Sequence, residues 1–248
     1  MMNVKKYLDS TYLKTAEQGG LDEAGNVKIV KGFIQEAIDE DFKLIMIRPN
    51  MVLLASQMVS DAGSNLQIGT VIDFPNGRSV IADKLVEAEK AIQDGADDLD
   101  FVCNYEAFKN DNIDLVKEEI LKGTQLGIEN NKVVKWIIEV AALNDKQIIQ
   151  LTALIKNVVV SNFKELNFAS VFVKSSTGFY ITEDGLPNGA TIPSIILMLE
   201  NATPLPVKAA GGVRTYEEAV AMIKLGVKRI GTSGAKAIAN GENTNSGY

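Results

Sequence analysis

Short apolar runs rich in β-branched residues alternate along the chain with longer stretches whose apolar positions recur three and four residues apart. The short runs read as strands at Lys6–Asp9, Leu44–Arg48, Ile68–Asp73, Asp98–Cys103, Val134–Val140, Ser170–Lys174, Leu205–Ala209 and Arg229–Thr232. The longer stretches read as helices. Ile29/Phe33/Ala37 and Val80/Lys84/Ala88/Ile92 mark two of their faces, and further helices are predicted over 113–127, 144–158, 190–201 and 215–225. Asp94-Gly95-Ala96 and Leu225-Gly226-Val227 read as helix C-caps, and Thr215 as an N-cap. Regular strand–helix alternation implies a parallel sheet with crossover helices. Eight such units in about 240 residues favour one closed (β/α)8 TIM barrel over an open doubly wound sheet. The barrel is expected over 1–239, with the polar, Gly- and Asn-rich 240–248 as a mobile tail.

Composition narrows the chemistry. None of the 248 residues is histidine, which removes Ser–His and Cys–His nucleophilic pairs and His-ligated zinc sites. Acid–base work falls to Asp, Glu, Lys, Tyr or water. The lone Cys103 cannot form an intrachain disulfide, and no CxxC motif exists. A net charge of −7 argues against nucleic-acid and anionic-membrane partners. No apolar run approaches the ~20 residues of a bilayer span, and the N-terminal segment lacks the apolar core of a secretion signal, so the protein is expected to be cytoplasmic.

A barrel of this kind carries its active site at the C-terminal ends of the strands. Lys174 closes an otherwise apolar strand and is followed by Ser175-Ser176-Thr177-Gly178, whose hydroxyls and backbone N–H groups suit a phosphate. The alternative for Lys174 is a snorkelling side chain with its ammonium in solvent. Lys208 occupies the same place on the next strand, ahead of Gly211-Gly212. Two lysines on neighbouring strand ends disfavour each other's protonation, and with partial burial this yields an amine able to attack a carbonyl. Gly211-Gly212 and Gly231-Thr232-Ser233-Gly234 form the loops after strands seven and eight, where barrels commonly hold phosphate.

Asp100 lies within strand four between Leu99 and Phe101, which favours burial and a role in the site; Asp94 and Asp97 read as solvated surface charge. A magnesium site is the competing reading of this acidic stretch. Asp9 is expected to close the first strand. Glu139 and Lys135, four apart on one strand face, could pair in support of the site or of the fold. Met46, Cys103 and Trp136 read as packing residues.

Several motifs together resemble deoxyribose-phosphate aldolases: Val-Lys-Ser-Ser-Thr-Gly-Phe at 173–179, Val-Lys-Ala-Ala-Gly-Gly-Val-Arg-Thr at 207–215 and Arg-Ile-Gly-Thr-Ser at 229–233. Tyr-Leu-Asp-Ser-Thr-Tyr-Leu-Lys at 7–14, Asp-Phe-Pro-Asn-Gly at 73–77 and Gly-Ala-Asp-Asp-Leu-Asp at 95–100 extend the likeness over nearly the whole chain. The resemblance implies a class I aldolase that needs neither metal nor organic cofactor. It would reversibly cleave 2-deoxy-D-ribose 5-phosphate to D-glyceraldehyde 3-phosphate and acetaldehyde. By position, Lys174 would form the Schiff base, Lys208 would tune it, Asp100 would shuttle protons through a bound water, and Asp9 would support the lysines. Gly178, Gly211, Gly212, Gly231 and Ser233 would hold the phosphate, and Tyr248 on the tail would assist proton transfer. The family likeness also suggests a homodimer.

Four positions depart from the family pattern: Ser10 where histidine is frequent, Arg48 where asparagine is usual, Asp73 in place of a small residue, and Gly234 where a second serine often stands. Arg48 and Asp73 end neighbouring strands and are expected to pair. The alternatives are a Schiff-base aldolase for another aldehyde pair, a sugar-phosphate isomerase using Asp9 and Asp100 as acid and base, and a non-catalytic phosphosugar-binding barrel.

Overall fold

The structure, a computed structural model, describes residues 2–183 and 185–242. Eight parallel strands close a barrel in sequence order: β1 (Leu8–Tyr12), β2 (Leu44–Ile47), β3 (Gln67–Ile72), β4 (Asp98–Val102), β5 (Val133–Ile137), β6 (Val171–Lys174), β7 (Val207–Ala210) and β8 (Arg229–Thr232), with β8 pairing back onto β1. The helices are α1 (Glu23–Asp39), α2 (Val52–Asp61), α3 (Ile81–Gln93), α4 (Tyr105–Lys109), α5 (Ile113–Glu129), α6 (Asp145–Asn162), α7 (Ile192–Ala202), α8 (Tyr216–Leu225) and α9 (Ala235–Asn240). None of the helices among the described residues is long and apolar enough to cross a membrane.

The largest apolar core lies between the strands and the helix ring, where Trp136 stacks on Phe101 at 5.0 Å between ring centres. Helix α5 approaches β5 closely because it presents Gly123 and Gly127. A Cβ at these positions would stand 2.8 Å from the Trp136 ring and 2.1 Å from Val134 Cγ2. The expected caps form: Thr215 and Glu218 make a capping box on α8, and Gly226 ends that helix at φ 119°.

Several boundaries shift. The first strand begins at Leu8 and runs to Tyr12, so Asp9 lies inside it rather than at its end. On α1 the buried stripe is Asn26, Val30, Ile34 and Ala37, while Ile29 faces outward. Val80, the residue that precedes α3, is exposed, and Lys84, read from its spacing as part of an apolar face, is fully buried. Its ammonium donates to Glu119 Oε2 at 2.7 Å and to the Val102 and Gly77 carbonyls, so an ion pair replaces an apolar contact at a helical position. The last helix ends at Asn240, capped by Gly241.

Candidate active site

Residues two apart on a strand share a face, so each strand sends alternate side chains into the barrel. From β2 and β3 those are Leu44, Met46 and Val71, with Gly69 between them: a Cβ on Gly69 would press on Met46 and Leu44. The remaining strands send charge. Asp9, Asp98, Asp100, Lys135, Lys174, Lys208 and Arg229 meet inside the barrel, none of them more than 6% exposed.

Lys174 and Lys208 are register partners across β6 and β7. Both ammonium groups donate to the same oxygen, Asp100 Oδ2, at 2.9 and 3.0 Å. Asp100 Oδ1 accepts from Lys135 at 2.7 Å. The Asp100 carboxyl is therefore surrounded by three cations. Burial alone would raise its pKa, but Lys135, Lys174 and Lys208 hold it well below the usual carboxylate range. It is ionised at rest. Lys174 behaves oppositely. Burial is the main force lowering its pKa to about 8, Asp100 resists, and Lys208 and Lys135 add repulsion. At pH 7 this leaves about a tenth of the amine neutral, against a few parts in ten thousand at the ordinary value. Only the neutral form is a nucleophile. With only 3% of its surface exposed, Lys174 does not snorkel.

Asp9 sits deeper. Its Oδ2 lies 2.6 Å from Lys208 Nζ and its Oδ1 accepts from Arg229 Nε at 2.7 Å. Asp98, absent from the residues read as functional in the sequence, touches Lys135 at 2.6 Å and Arg229 at 3.4 Å. A signal for it exists: Asp98 is two residues before Asp100 and so shares its inward face. The acidic stretch does not converge on one point as a magnesium site would require. Asp98 and Asp100 are taken by lysines, and Asp97 accepts from the Ile68 backbone.

At the mouth, Gly178, Gly211 and Gly212 adopt positive φ of 81°, 72° and 81°. Close approach adds to the requirement for glycine here. Gly189, not singled out in the sequence, packs so tightly on Gly211 that a Cβ would fall 2.5 Å from its carbonyl carbon. Asn188 Nδ2 donates to the Gly178 carbonyl. Two of the three hydroxyls after Lys174 are already engaged, while Ser176 Oγ is buried without a hydrogen-bond partner among the described residues. Ser175 Oγ donates to the Ala210 carbonyl at 3.0 Å, and Thr177 Oγ1 donates to Glu139. Gly231 lies within β8 beside Lys208, where a Cβ would stand 3.2 Å from Lys208 Cε. Ser233 follows β8 at the mouth, and Tyr248 lies outside the described residues.

Glu139 does not pair with Lys135. It stands beyond β5 with φ 56° and its Oε2 accepts from the Thr177 N–H and hydroxyl. Burial raises its carboxyl to about 7, opposed by those hydrogen bonds and by Lys174.

Comparison with known proteins shows the family. The sequence profile of "DeoC/LacD family aldolase" matches residues 13–241. The chain is 36% identical to the deoxyribose-phosphate aldolase of Thermococcus gammatolerans, over 97% of this chain and 96% of that protein. It is also 36% identical to that of Streptococcus gordonii over the full length of both. Among solved structures, "QR15, an Aldolase" superposes with a TM-score of 0.80 at 30% identity, covering 97% of this chain and 96% of the other. The chain belongs to the DeoC/LacD aldolase family.

As a member of that family it is a carbon–carbon lyase on a TIM barrel. One departure from the family pattern resolves differently from expectation. Arg48 and Asp73 do not form an ion pair among the described residues. The Arg48 guanidinium donates to the Leu13 and Phe74 carbonyls and lies 4.8 Å from the Phe74 ring centre, over the apolar half of the barrel. Asp73, at φ 54°, accepts from the Ser79 N–H and hydroxyl and lies 3.5 Å from Lys84. Strand ends that are adjacent in order still aim their side chains differently once the loop turns, and here the Asp73 backbone turns its carboxylate onto its own loop.

Proposed function

We propose that this aldolase acts on 2-deoxy-D-ribose 5-phosphate, with Lys174 as the imine-forming amine. The observation that carries the reading is the single carboxylate oxygen, Asp100 Oδ2, shared by Lys174 and Lys208 in the buried barrel interior. The Lys174 amine adds to the C1 aldehyde of the open-chain sugar and water leaves, giving a protonated imine. Loss of the C3 hydroxyl proton breaks the C2–C3 bond, whose electrons enter the imine to form an enamine. Glyceraldehyde 3-phosphate departs. A proton added at C2 and hydrolysis of the imine release acetaldehyde and restore Lys174. Every step runs in reverse for synthesis.

Lys208 would tune the Lys174 amine, and Asp100, held ionised between them, would shuttle protons through a bound water. Asp9 holds Lys208 in place. The backbone N–H groups around Gly178, Gly211 and Gly212, with Gly231 and Ser233 at the end of β8, would receive the phosphate, and Tyr248 would assist at the substrate carbon. A homodimer is the expected assembly. An acid–base isomerase is less well served by this site, since Asp9 and Asp100 are both saturated by cations and neither is free to act alone.

Borohydride reduction with acetaldehyde, followed by peptide mass spectrometry, tests the chemistry. An ethyl adduct on Lys174 is the expected result; folded protein without it overturns the Schiff-base reading. Glyceraldehyde 3-phosphate release from the deoxy sugar phosphate then tests the substrate.

A further inference from the structure

The charged half of the barrel has an order that the catalytic trio alone does not reveal. Arg229 Nη2 lies 2.6 Å from Asp9, whose other oxygen lies 2.6 Å from Lys208. Lys208 meets Asp100, Asp100 meets Lys135, Lys135 meets Asp98, and Asp98 returns to Arg229. The six groups close a ring in which cation and carboxylate alternate. Three positive charges balance three negative ones. Lys174 stands outside this ring, joined to it among the described residues only through the Asp100 oxygen that Lys208 already uses. It is the unmatched cation.

We infer that Arg229, Asp98 and Lys135 are positioning residues whose closed, charge-balanced ring makes Lys174 the amine that gives up its proton. Asp98 and Arg229 are the first residues of β4 and β8, away from the C-terminal mouth, so they act through the ring. The physical reason is the cost of buried charge. Removing a proton from any ring lysine would leave a carboxylate without its partner on one side, whereas removing it from Lys174 leaves every carboxylate flanked by two cations. Among the described residues, β2 and β3 supply no compensating charge from below, facing the ring with Leu44, Met46, Gly69 and Val71, and β6 adds Phe172, 5.9 Å from Lys135. Glu139, from beyond β5, also interacts with Lys174.

The inference rests on Lys174 as the imine-forming residue, and its test separates the two. The pH dependence of borohydride trapping of acetaldehyde on Lys174 is measured in wild type, Asp98→Asn, Arg229→Met and Arg229→Lys. Removing a ring anion moves the acid limb of trapping to lower pH by about one unit, and removing a ring cation moves it to higher pH by about one unit. Arg229→Lys keeps the charge and leaves the limb in place. Opposite shifts establish the charge ring, because lost packing would not change sign between the two variants. Shifts in one direction, or none in folded protein, overturn it. If Arg229→Met does not fold, Asp98→Asn against Arg229→Lys still decides: no downward shift in Asp98→Asn overturns the inference. A wild type that traps nothing on Lys174 fails the underlying reading instead, and the inference with it.

Discussion

The barrel interior has two halves that are equally hidden from water and chemically opposite. Leu44, Met46 and Val71 fill one side, capped by Phe74 and Phe179 edge to face at 5.1 Å. The other side holds seven ionisable groups. The apolar half gains from every atom it removes from water. The charged half loses several kcal/mol of hydration per ion and regains it only through contacts as short as those of the ring, so its net contribution to stability is small. Removing one partner is a different matter, because the charge left behind is buried and unmatched. The apolar half therefore holds the barrel together, and the charged half sets a reactivity at a cost that the rest of the fold offsets.

The sharpest way to break that contrast is Lys174→Met, expected to abolish borohydride trapping and lower the cleavage rate at least ~10³-fold while leaving the protein folded. Asp100→Asn should follow, with a ~10²- to 10⁴-fold loss of rate and a loss of about 3–5 kcal/mol in stability by denaturant titration, since three ammonium groups would then face one another. In the apolar half, Met46→Ala should cost about 2–5 kcal/mol with the pH profile of trapping unmoved. An altered profile there would show that the two halves are not independent.

A smaller effect concerns pH. Glu139 has its pKa raised to about 7 in the folded state, so it contributes stability that is present below its unfolded value and lost as pH rises through about 7. Denaturation midpoints of wild type should fall across that window by an amount worth about 1–3 kcal/mol, and Glu139→Gln should flatten the fall. Lys174 has the opposite sign. Its depressed pKa makes its contribution improve as pH climbs above about 8, so Lys174→Met removes that alkaline gain. Met46→Leu should be the mildest change, under ~1.5 kcal/mol.

Much of this was legible in the chain. Strand–helix periodicity predicts the barrel, and lysines on two neighbouring strands predict where the chemistry lies, although Lys208 is the second residue of β7 rather than its last. Asp100 stands out because a carboxylate flanked by Leu99 and Phe101 in a strand has few bland uses. Arg229 and Asp98 were harder to see. An arginine or aspartate at the start of a strand reads as surface charge unless the barrel closes and brings β8 beside β1 and opposite β4. Lys84 departs from its expected apolar contact for a related reason: helical spacing reports that a position is buried, not that Glu119 from α5 waits there to receive an ammonium. The expected Arg48–Asp73 pair failed because periodicity ends where the strand does, and the loop backbone at Asp73 decides the direction of its side chain.

By itself the sequence determined the elements, their order and the candidate for the reactive amine, because these follow from patterns that repeat within ten or twenty residues. Which charges meet inside the barrel was decided only by the tertiary structure. Asp9 and Arg229 are 220 residues apart, and Lys208 and Asp100 are 108 apart. Pairings at such separation depend on strand register around a closed sheet. A one-residue slip in register would turn a strand's charged side chains from the interior to the helix-covered face.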